Sequence, residues 1–541
     1  MSIAISEDHR ALSDTVSDFL AKNNALAANR ALLDAADESR PSFWPELGNL
    51  GWLGLHLPEE YGGSGFGLQE LAVVVEQMGR VACPGPFVPT VIASSVINDA
   101  GSDDLKKSLL PGLAEGSKAA AIALNAEVAV GADGLTGSAK AVMGVATADV
   151  ILIPVGDDVA VIDASAPGVK VEVPRNVDTA RRAGKVSLSG APFELIQGGK
   201  RDLVDTARTL LAVEATGVAR QATEMAAEYA KVRLQFGRVI GTYQAVKHHC
   251  ANMSVATELS TSAIWDAARA HEDDADQRSY AAAIAASLAV PAAVQNAQLN
   301  IQVHGGIGFT WEHDAHLFLR RAAGIASVLD ADEAARAVTK AAAAGVSRSR
   351  AVALPAEAET YRADVRQFIE SVKGKDRDAQ KAAMLETGYA VPHWPKPWGR
   401  NAGAIEQLVI EEEFAAAGLH KPQYGITGWV ILTLVQHATE DQIARWVRPA
   451  LAQELIWCQL FSEPDAGSDA AGIKTRGKRV EGGWLVNGQK VWTSGAHQAS
   501  FGLATIRTNP DAPKHKGITM MVIDMHGEGV TVRPLRQATG D

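Results

Sequence analysis

The sequence predicts an α+β, multidomain and internally duplicated fold, and three observations carry that prediction. The first is a repeat: Pro58 and Pro395, Gly62 and Gly399, Leu71 and Leu408, and Glu76 and Glu413 each stand 337 positions apart. One constant offset across WLGLHLPEEYGGSGFGLQELAVVVE (52–76) and YAVPHWPKPWGRNAGAIEQLVIEEE (389–413) marks duplication. The second is texture, which passes from apolar residues at three-and-four spacing to short β-rich runs and back again. The third is size: 541 residues, 47% hydrophobic and 21% charged, make a globular chain of roughly three to five domains.

The elements follow in order. Residues 1–118 carry amphipathic stretches such as HRALSDTVSDFL and LQELAVVVEQM and read as a helical N-domain. Residues 119–200 hold runs such as VILIPV and VAVID divided by Gly, Asp and Pro, a small β domain. Residues 201–348 are Ala-rich and helical, broken only by Pro291 and a few glycines, a helical-bundle domain. Its run AAAIAASLAVPAAV reads as a buried bundle helix containing Pro291. A linker is expected over 349–355. The second copy repeats the helical part over 356–455 and turns to β texture over 456–541, in WLVNGQKVWTSG, LATIRT and ITMMVIDM. No second helical bundle follows, so the second copy lacks its C-domain.

Composition excludes several classes. A net charge of -12 gives no general attraction to nucleic acid or anionic lipid. Cys83, Cys250 and Cys458 stand far apart without ligand spacing, which argues against a disulfide framework and against a metal site. MSIAISEDHR has no basic segment leading into an apolar one, and no uninterrupted apolar stretch reaches membrane-spanning length, so a cytoplasmic protein with no membrane span is expected. His248 and His249 lack carboxylate or Cys partners at ligand spacing. Glu411, Glu412 and Glu413 read as a solvated helix face. The chain has no nucleophile elbow, P-loop or Rossmann fingerprint.

The densest chemical signal is Ser462-Glu463-Pro464-Asp465-Ala466-Gly467-Ser468-Asp469, followed by Asn487-Gly488-Gln489-Lys490-Val491-Trp492-Thr493-Ser494. The first is a turn-rich loop offering hydroxyls and backbone donors. The second ends a strand and supplies an aromatic face with two hydroxyls, the equipment for gripping a flat heteroaromatic ring. Each alone also fits a plain β-turn or a core Trp. Together, after a helical domain, they resemble the flavin-binding acyl-CoA dehydrogenase family, over nearly the whole chain. The two-copy layout is similar to the fused double acyl-CoA dehydrogenases of actinobacterial steroid and lipid catabolism.

The resemblance implies acyl-CoA dehydrogenase-like units, each with a helical N-domain, a small β-barrel-like middle domain and a helical-bundle C-domain. It implies FAD as cofactor, an acyl-CoA as substrate, an electron-transfer flavoprotein as acceptor, and a homo-oligomer, a dimer. Gln459, Phe461 and Ser462 would line the flavin ring, with Ser462 bonding it, and Ser468 would touch the CoA portion. Trp492 would flank the ring, with Thr493 and Ser494 near its reactive edge. The family often has an aromatic residue where Gln459 stands and Thr where Ser462 and Ser494 stand. In copy one, Arg233, Phe236 and Gln244 resemble the RxxFG…Q stretch, and Gln302, Gly305 and Gly306 the QxxGGxG stretch, which reach the ADP half of FAD across a dimer. An Arg can pair with pyrophosphate, and a glycine pair lets backbone approach a ligand closely, although helix packing is an equal use of such glycines.

Copy one departs from the pattern. Glu463 and Lys490 stand 27 positions apart, but Glu127 and Lys140 only 13, so fourteen residues of the first motif are missing. Counted from Lys140, Val142-Met143-Gly144 replaces Trp492-Thr493-Ser494, so copy one is not expected to hold its own flavin ring. In the family a Glu that takes the α-proton stands at one of two places, here occupied by Leu329 and Ala207, neither of which can accept a proton. Asp330 is one residue off register and a poor substitute. Arg208, beside Ala207, reads as a CoA-facing cation or as a solvated helix arginine. The catalytic residue is therefore unassigned, the base is expected beyond Asp541, and the sequence reads as a piece of a longer protein. The implied reaction is α,β-dehydrogenation of the thioester to the trans-2-enoyl-CoA. An acyl-CoA oxidase, and a non-catalytic flavin- or CoA-binding scaffold that completes a partner's site, stay open as alternatives.

Overall fold

The computed structural model describes residues 6–348 and 354–540, in two compact units, Met1–Ser349 and Arg350–Asp541. Residues 349–353 of the expected linker lie outside the described residues.

Unit 1 opens with six helices, α1 (Glu7–Lys22), α2 (Ala25–Ala31), α3 (Trp44–Asn49), α4 (Leu68–Arg80), α5 (Phe87–Ala100) and α6 (Asp103–Glu115). Ser6 and Ser102 cap α1 and α6 by accepting from backbone N–H groups three residues on. Eight strands follow: β1 (Ala120–Ile122), β2 (Ala126–Gly131), β3 (Gly134–Met143), β4 (Val150–Val155), β5 (Asp158–Asp163), β6 (Val169–Glu172), β7 (Ala183–Ala191) and β8 (Glu194–Ile196). They form one sheet in the order β6-β7-β3-β1-β4-β5-β8, with β2 on β3. The expected barrel-like domain is thus a sheet whose recorded pairings leave β6 and β8 as ends. In β4 the side chains alternate between two cores: Ile151 and Ile153 pack inside the β domain, Val150 and Leu152 against the helical core.

The helical bundle is built on α7 (Lys200–Val232), α8 (Gln244–Arg269), α9 (Ala275–His304), α10 (Ala315–Val328) and α11 (Ala331–Ala343); a short hairpin of β9 (Leu234–Gln235) and β10 (Arg238–Val239) leads from α7 into α8. At 33 residues α7 runs about 50 Å, and α4 lies directly on it. A Cβ on Gly79 would stand 2.3 Å from the Glu214 carbonyl oxygen, and one on Gly217 would stand 2.1 Å from that of Glu76, so only glycine permits this approach. Ala275–Phe309 is long and apolar enough by length and composition to cross a membrane, although polar residues interrupt its apolar run. Its apolarity comes largely from alanine, and 61% of its apolar window is buried inside the protein, as a bundle helix requires. Pro291 is accommodated within α9.

A buried charge network ties the parts of unit 1 together. Arg321 on α10 is 0% exposed; its Nε donates to Asp178 Oδ2 at 2.5 Å and its Nη1 to Glu214 Oε1 on α7 at 2.7 Å and to the Cys83 carbonyl at 2.9 Å. Arg181 closes the set with Nη2 2.7 Å from Glu214 Oε2. Two cations face two carboxylates, so the burial leaves no net charge.

Unit 2 contains α12 (Ala358–Val372), α13 (Arg377–Thr387), α14 (Ala404–Ala416), α15 (Ile426–His437) and α16 (Glu440–Leu451), then β11 (Trp457–Leu460), β12 (Arg476–Val480), β13 (Gly483–Asn487), β14 (Phe501–Arg507) and β15 (Ile518–Asp524). The local rules of unit 1 recur. Thr90 Oγ1 accepts from Ala120 N at 3.0 Å, and Thr427 Oγ1 accepts from Trp457 N at 3.0 Å, each pair 337 positions from the other. β1 pairs parallel with β4 starting Ala120↔Val150, and β11 with β14 starting Trp457↔Phe501. The second connection is fourteen residues longer, the length of the missing motif. The glutamates expected to form a solvated face on α14 are paired instead: Glu413 Oε1 accepts from Arg362 at 2.7 Å and Oε2 from Arg366 at 2.8 Å, Glu412 pairs with Arg362, and Glu411 with Lys421. Three charges on one helix draw three cations onto it.

Glu38 generates a test of unit 1. Its Oε2 accepts from Arg182 N at 2.6 Å, its Oε1 is buried without a partner, and burial pushes its carboxyl from 4.5 up to about 7. A raised carboxyl favours the folded state fully below 4.5, and that contribution is lost as pH rises through about 7. Glu38→Gln is expected to flatten the pH dependence of unit 1 stability over this window by about 3 kcal/mol, measured by denaturant unfolding at pH 5 and pH 8.

Candidate functional site

The two dense motifs of unit 2 meet. Ser462 lies just past the end of β11, and Val491 N donates to the Ser462 carbonyl at 2.9 Å, joining the loop of the first motif to that of the second. The strand of the second motif, β13, already ends at Asn487, so Lys490 to Ser494 form irregular backbone beyond it. Trp492 takes a left-handed φ of +59°, rare for a bulky side chain, and 75% of it is exposed. Ser494 N returns to the Trp492 carbonyl at 3.2 Å. Gln459, Phe461, Ser462 and Thr493 are half-buried, and Ser468 and Ser494 exposed. A Cβ on Gly467 or Gly495 would meet nothing within 4 Å, so space is open beside both loops.

The pair that joins the loops was not singled out by sequence reasoning. Glu463 Oε2 accepts from Lys474 N at 2.6 Å, and Oε1 from Thr475 N and Lys490 Nζ, both at 2.9 Å. Lys490 Nζ also donates to the Phe461 carbonyl at 3.0 Å and reaches Thr505 Oγ1 at 3.4 Å. The side chains of Lys490 and Glu463 are 8% and 7% exposed. Burial raises the Glu463 carboxyl, but the donors on it outweigh that and bring it from 4.5 down to about 2. Burial in turn draws the Lys490 ammonium below its ordinary value against the pull of Glu463. Both residues stand inside the quoted motifs, and the available signal was a Glu and a Lys in segments that must converge.

Unit 1 repeats the backbone bend of the second motif without its side chains. Ala141 has φ +52° and Gly144 φ +77°, as Trp492 has +59° and Gly495 +75°. The backbones therefore align Trp492 on Ala141, and the expected replacement Val142-Met143-Gly144 is one residue out: the counterparts are Ala141, Val142 and Met143. Glu127 and Lys140, the anchors of that count, each stand one position past Ala126 and Ala139, the counterparts of Glu463 and Lys490. The cleft there, about 310 Å³, is lined by Leu124, Asn125, Ala126, Lys140 and Ala141 among others, with no aromatic face.

The copy-one residues collect at one end of the bundle. Arg233 caps the C-terminus of α7, Gln244 begins α8, and Gln302 and Gly305 end α9. The Tyr229 and His304 rings stack at 4.3 Å and join the ends of α7 and α9. Phe236, at φ +52° in the turn of the β9–β10 hairpin, is 92% exposed. Gly305 has φ +66°, and a Cβ on Gly305 or Gly306 would meet nothing within 4 Å, whereas one on Gly308 would stand 2.7 Å from His304 Cβ. Helix packing thus accounts for Gly308, and open space for a ligand's approach remains at the pair before it.

Ala207 and Leu329 are buried and carry no proton acceptor. Asp330 is the N-cap of α11, accepting from Asp332 N at 2.8 Å and Glu333 N at 3.2 Å, which occupies its carboxylate. Arg208 is buried, not solvated, with its Nη2 3.9 Å from Glu333 Oε1. Glu333, the carboxylate nearest Arg208, lies a turn beyond the positions counted in the sequence. The three cysteines are free.

Fold and site together define a class: helical domains flanking β domains, with a loop pair that offers an aromatic face and hydroxyls. Family models for the acyl-CoA dehydrogenase N-terminal, C-terminal and middle domains match residues 6–117, 201–341 and 458–541. The chain is 42% identical over 510 residues to acyl-CoA dehydrogenase FadE34 of Mycobacterium tuberculosis, covering 94% of this chain and 70% of that protein. It is 31% identical over 326 residues to acyl-CoA dehydrogenase IpdE2 of Mycolicibacterium smegmatis, covering 60% of this chain and 95% of that one. Among solved structures, the Tcur3481-Tcur3483 steroid ACAD G363A variant matches with TM-score 0.59 and 29% identity over 63% of this chain and 98% of that chain. The ChsE4-ChsE5 complex from Mycobacterium tuberculosis matches with TM-score 0.59 and 25% identity over 63% of this chain and 99% of that chain. The chain belongs to the acyl-CoA dehydrogenase family, FAD-dependent oxidoreductases acting on acyl-CoA.

The Glu463 carboxyl sets a pH expectation for unit 2. A lowered carboxyl stabilises the fold above 4.5, and the contribution is lost as pH falls through about 2. Acid unfolding followed by tryptophan fluorescence is expected to lose this slope between pH 4.5 and 2 in Glu463→Gln, which is also less stable at pH 7.

Proposed function

We propose that the chain carries out α,β-dehydrogenation of an acyl-CoA thioester to the trans-2-enoyl-CoA, with FAD seated on the β domain of the second of two copies of one unit. The observation that carries this reading is the convergence of Ser462 and Trp492 through the Val491–Ser462 bond and the Lys490 ammonium. An exposed indole, flanking hydroxyls and open space at Gly467 and Gly495 fit a flat, hydrogen-bonding ring. FAD, when bound, supplies the hydride acceptor. The chain's own residues bind and orient: Trp492 offers its face, Ser462, Thr493 and Ser494 their hydroxyls, and Gln459 and Phe461 complete the lining.

Ser468 is exposed and open to the CoA portion, whereas Arg208 is buried against Glu333; Ser468 is the substrate contact retained. The open space at Gly305 and Gly306, with Arg233, Phe236, Gln244 and Gln302 at the same bundle end, supports contacts to the ADP half of FAD. The exposure of Phe236 supports a homo-oligomer, and an electron-transfer flavoprotein is the proposed acceptor. The proton-accepting carboxylate is assigned to a helical C-domain of the second copy, for which FadE34, matched over 70% of its length, has room. The likeness to the Tcur3481-Tcur3483 steroid ACAD supports a steroid or lipid side-chain thioester.

A second reading, a flavin- or CoA-binding scaffold, is favoured by the missing carboxylates at Ala207 and Leu329. Anaerobic titration of the FAD-loaded protein with a panel of acyl-CoA thioesters separates the two. Bleaching of the visible band by one thioester class is the expected result; binding without bleaching by any class sinks dehydrogenation and supports the scaffold. Oxygen-dependent return of the band without an added acceptor would make it an oxidase.

A further inference from the structure

Glu463 and Lys490 are chemically exhausted by their protein partners. An ammonium has three donors, and Lys490 directs them at the Phe461 carbonyl, Glu463 Oε1 and Thr505 Oγ1. Both oxygens of Glu463 are taken, by two backbone N–H groups and Lys490. Neither has capacity left for a ligand or for proton transfer. Their contacts span Phe461 just past β11, the first-motif loop at Glu463 to Thr475, and β14 at Thr505. Lys490 itself lies two residues before the strained Trp492, and its acceptor Phe461 directly before Ser462.

A buried ion pair adds little net stability over an apolar pair, so its value lies in holding one arrangement. The arrangement held is that of the two loops carrying Ser462 and Trp492. Unit 1 gives the contrast: the offset of 337 puts Ala126 at the place of Glu463, and the alignment of Ala141 with Trp492 puts Ala139 at that of Lys490, so two alanines stand where unit 2 has its ion pair. There Ala126 lies opposite Ala139 in a plain hairpin, and the backbone bend at Ala141 persists without an aromatic ring. The bend and the lock are thus separable, and only the unit with the lock carries ring-binding side chains.

We infer that Glu463 and Lys490 are positioning residues for the flavin ring, clamping the Phe461–Ser462 and Val491–Trp492 segments into the one arrangement that receives it. This rests on the seating of FAD on unit 2 proposed above. The full chain binds FAD tightly only when the clamp is intact, and the clamp needs a cation and an anion more than a particular chain length. Lys490→Met and Glu463→Gln weaken FAD binding by about 10- to 100-fold, the range for losing partners that orient a ligand shell. Lys490→Arg keeps it within about threefold.

FAD titration of the full-length protein and its variants, read by quenching of flavin and Trp492 fluorescence, measures this, with near-UV circular dichroism reporting the fold. Hydrogen exchange adds a local readout: in Lys490→Met the amides of 463–475 and 490–495 exchange faster while β14 and β15 keep their protection. Should either single variant fail to fold, Glu463→Gln/Lys490→Met removes both charges together; folded with FAD binding lost, it supports the clamp. FAD affinity within about twofold of the parent in any folded variant that lacks the pair overturns it. No FAD binding by the parent overturns the seating itself, and the clamp with it, and is told apart by failing before any substitution is made.

Discussion

The two motif loops of unit 2, the proposed seat of the flavin ring, are joined by the buried Glu463–Lys490 pair. Each loop it joins is a turn-rich segment with little core of its own, and Trp492 sits at a backbone angle that costs free energy for any residue but glycine. Such a conformation persists only where its surroundings over-determine it. Here the surroundings are one ammonium on three acceptors and one carboxylate on three donors, both shut away from water. Desolvating those charges is expensive, so removing either leaves the other stranded. The ring-binding side chains stay exposed because the groups that hold them are buried one step behind.

Unit 1 concentrates its buried charge elsewhere. Arg321, Asp178, Glu214 and Arg181 join α7, α10 and the segment before β7 through a neutral cluster, while its β-domain hairpin carries no clamp. Glycines 79 and 217 press α4 onto α7, and Glu76 meets Arg220 across that contact at 2.9 Å. The corresponding Glu413 in unit 2 finds Arg362 and Arg366 instead. One sequence position thus serves two local neighbourhoods, with the same charge met by a different helix in each. This is a division of labour: unit 1 offers a well-tied bundle whose end is open at Gly305 and Gly306, and unit 2 offers a pre-shaped ring seat.

Much of this was legible in the sequence where periodicity or spacing speaks. The alternation of helical and β texture, the constant offset of 337 and the two motifs located the elements, the repeated local contacts and the two loops that meet, because each is a local pattern. What depended on distant partners was not legible. The Glu463–Lys490 contact joins positions 27 apart, and Arg321 with Asp178 joins positions 143 apart; neither follows from a period. The one-residue slip that placed Val142 opposite Trp492 arose from matching Glu127 and Lys140 to Glu463 and Lys490 by residue type, one position past Ala126 and Ala139. The α14 glutamates looked solvated because the arginines that meet Glu412 and Glu413 lie on another helix.

The central claim is that one seat per chain, in unit 2, holds flavin. The most direct measurement is the number of flavins per chain after loading with excess FAD and removing the free cofactor, by absorbance of the acid-released flavin against chain concentration. One flavin per chain is the predicted result. Two per chain, which would mean that the Ala141 cleft of unit 1 also holds a ring, or none, would contradict it.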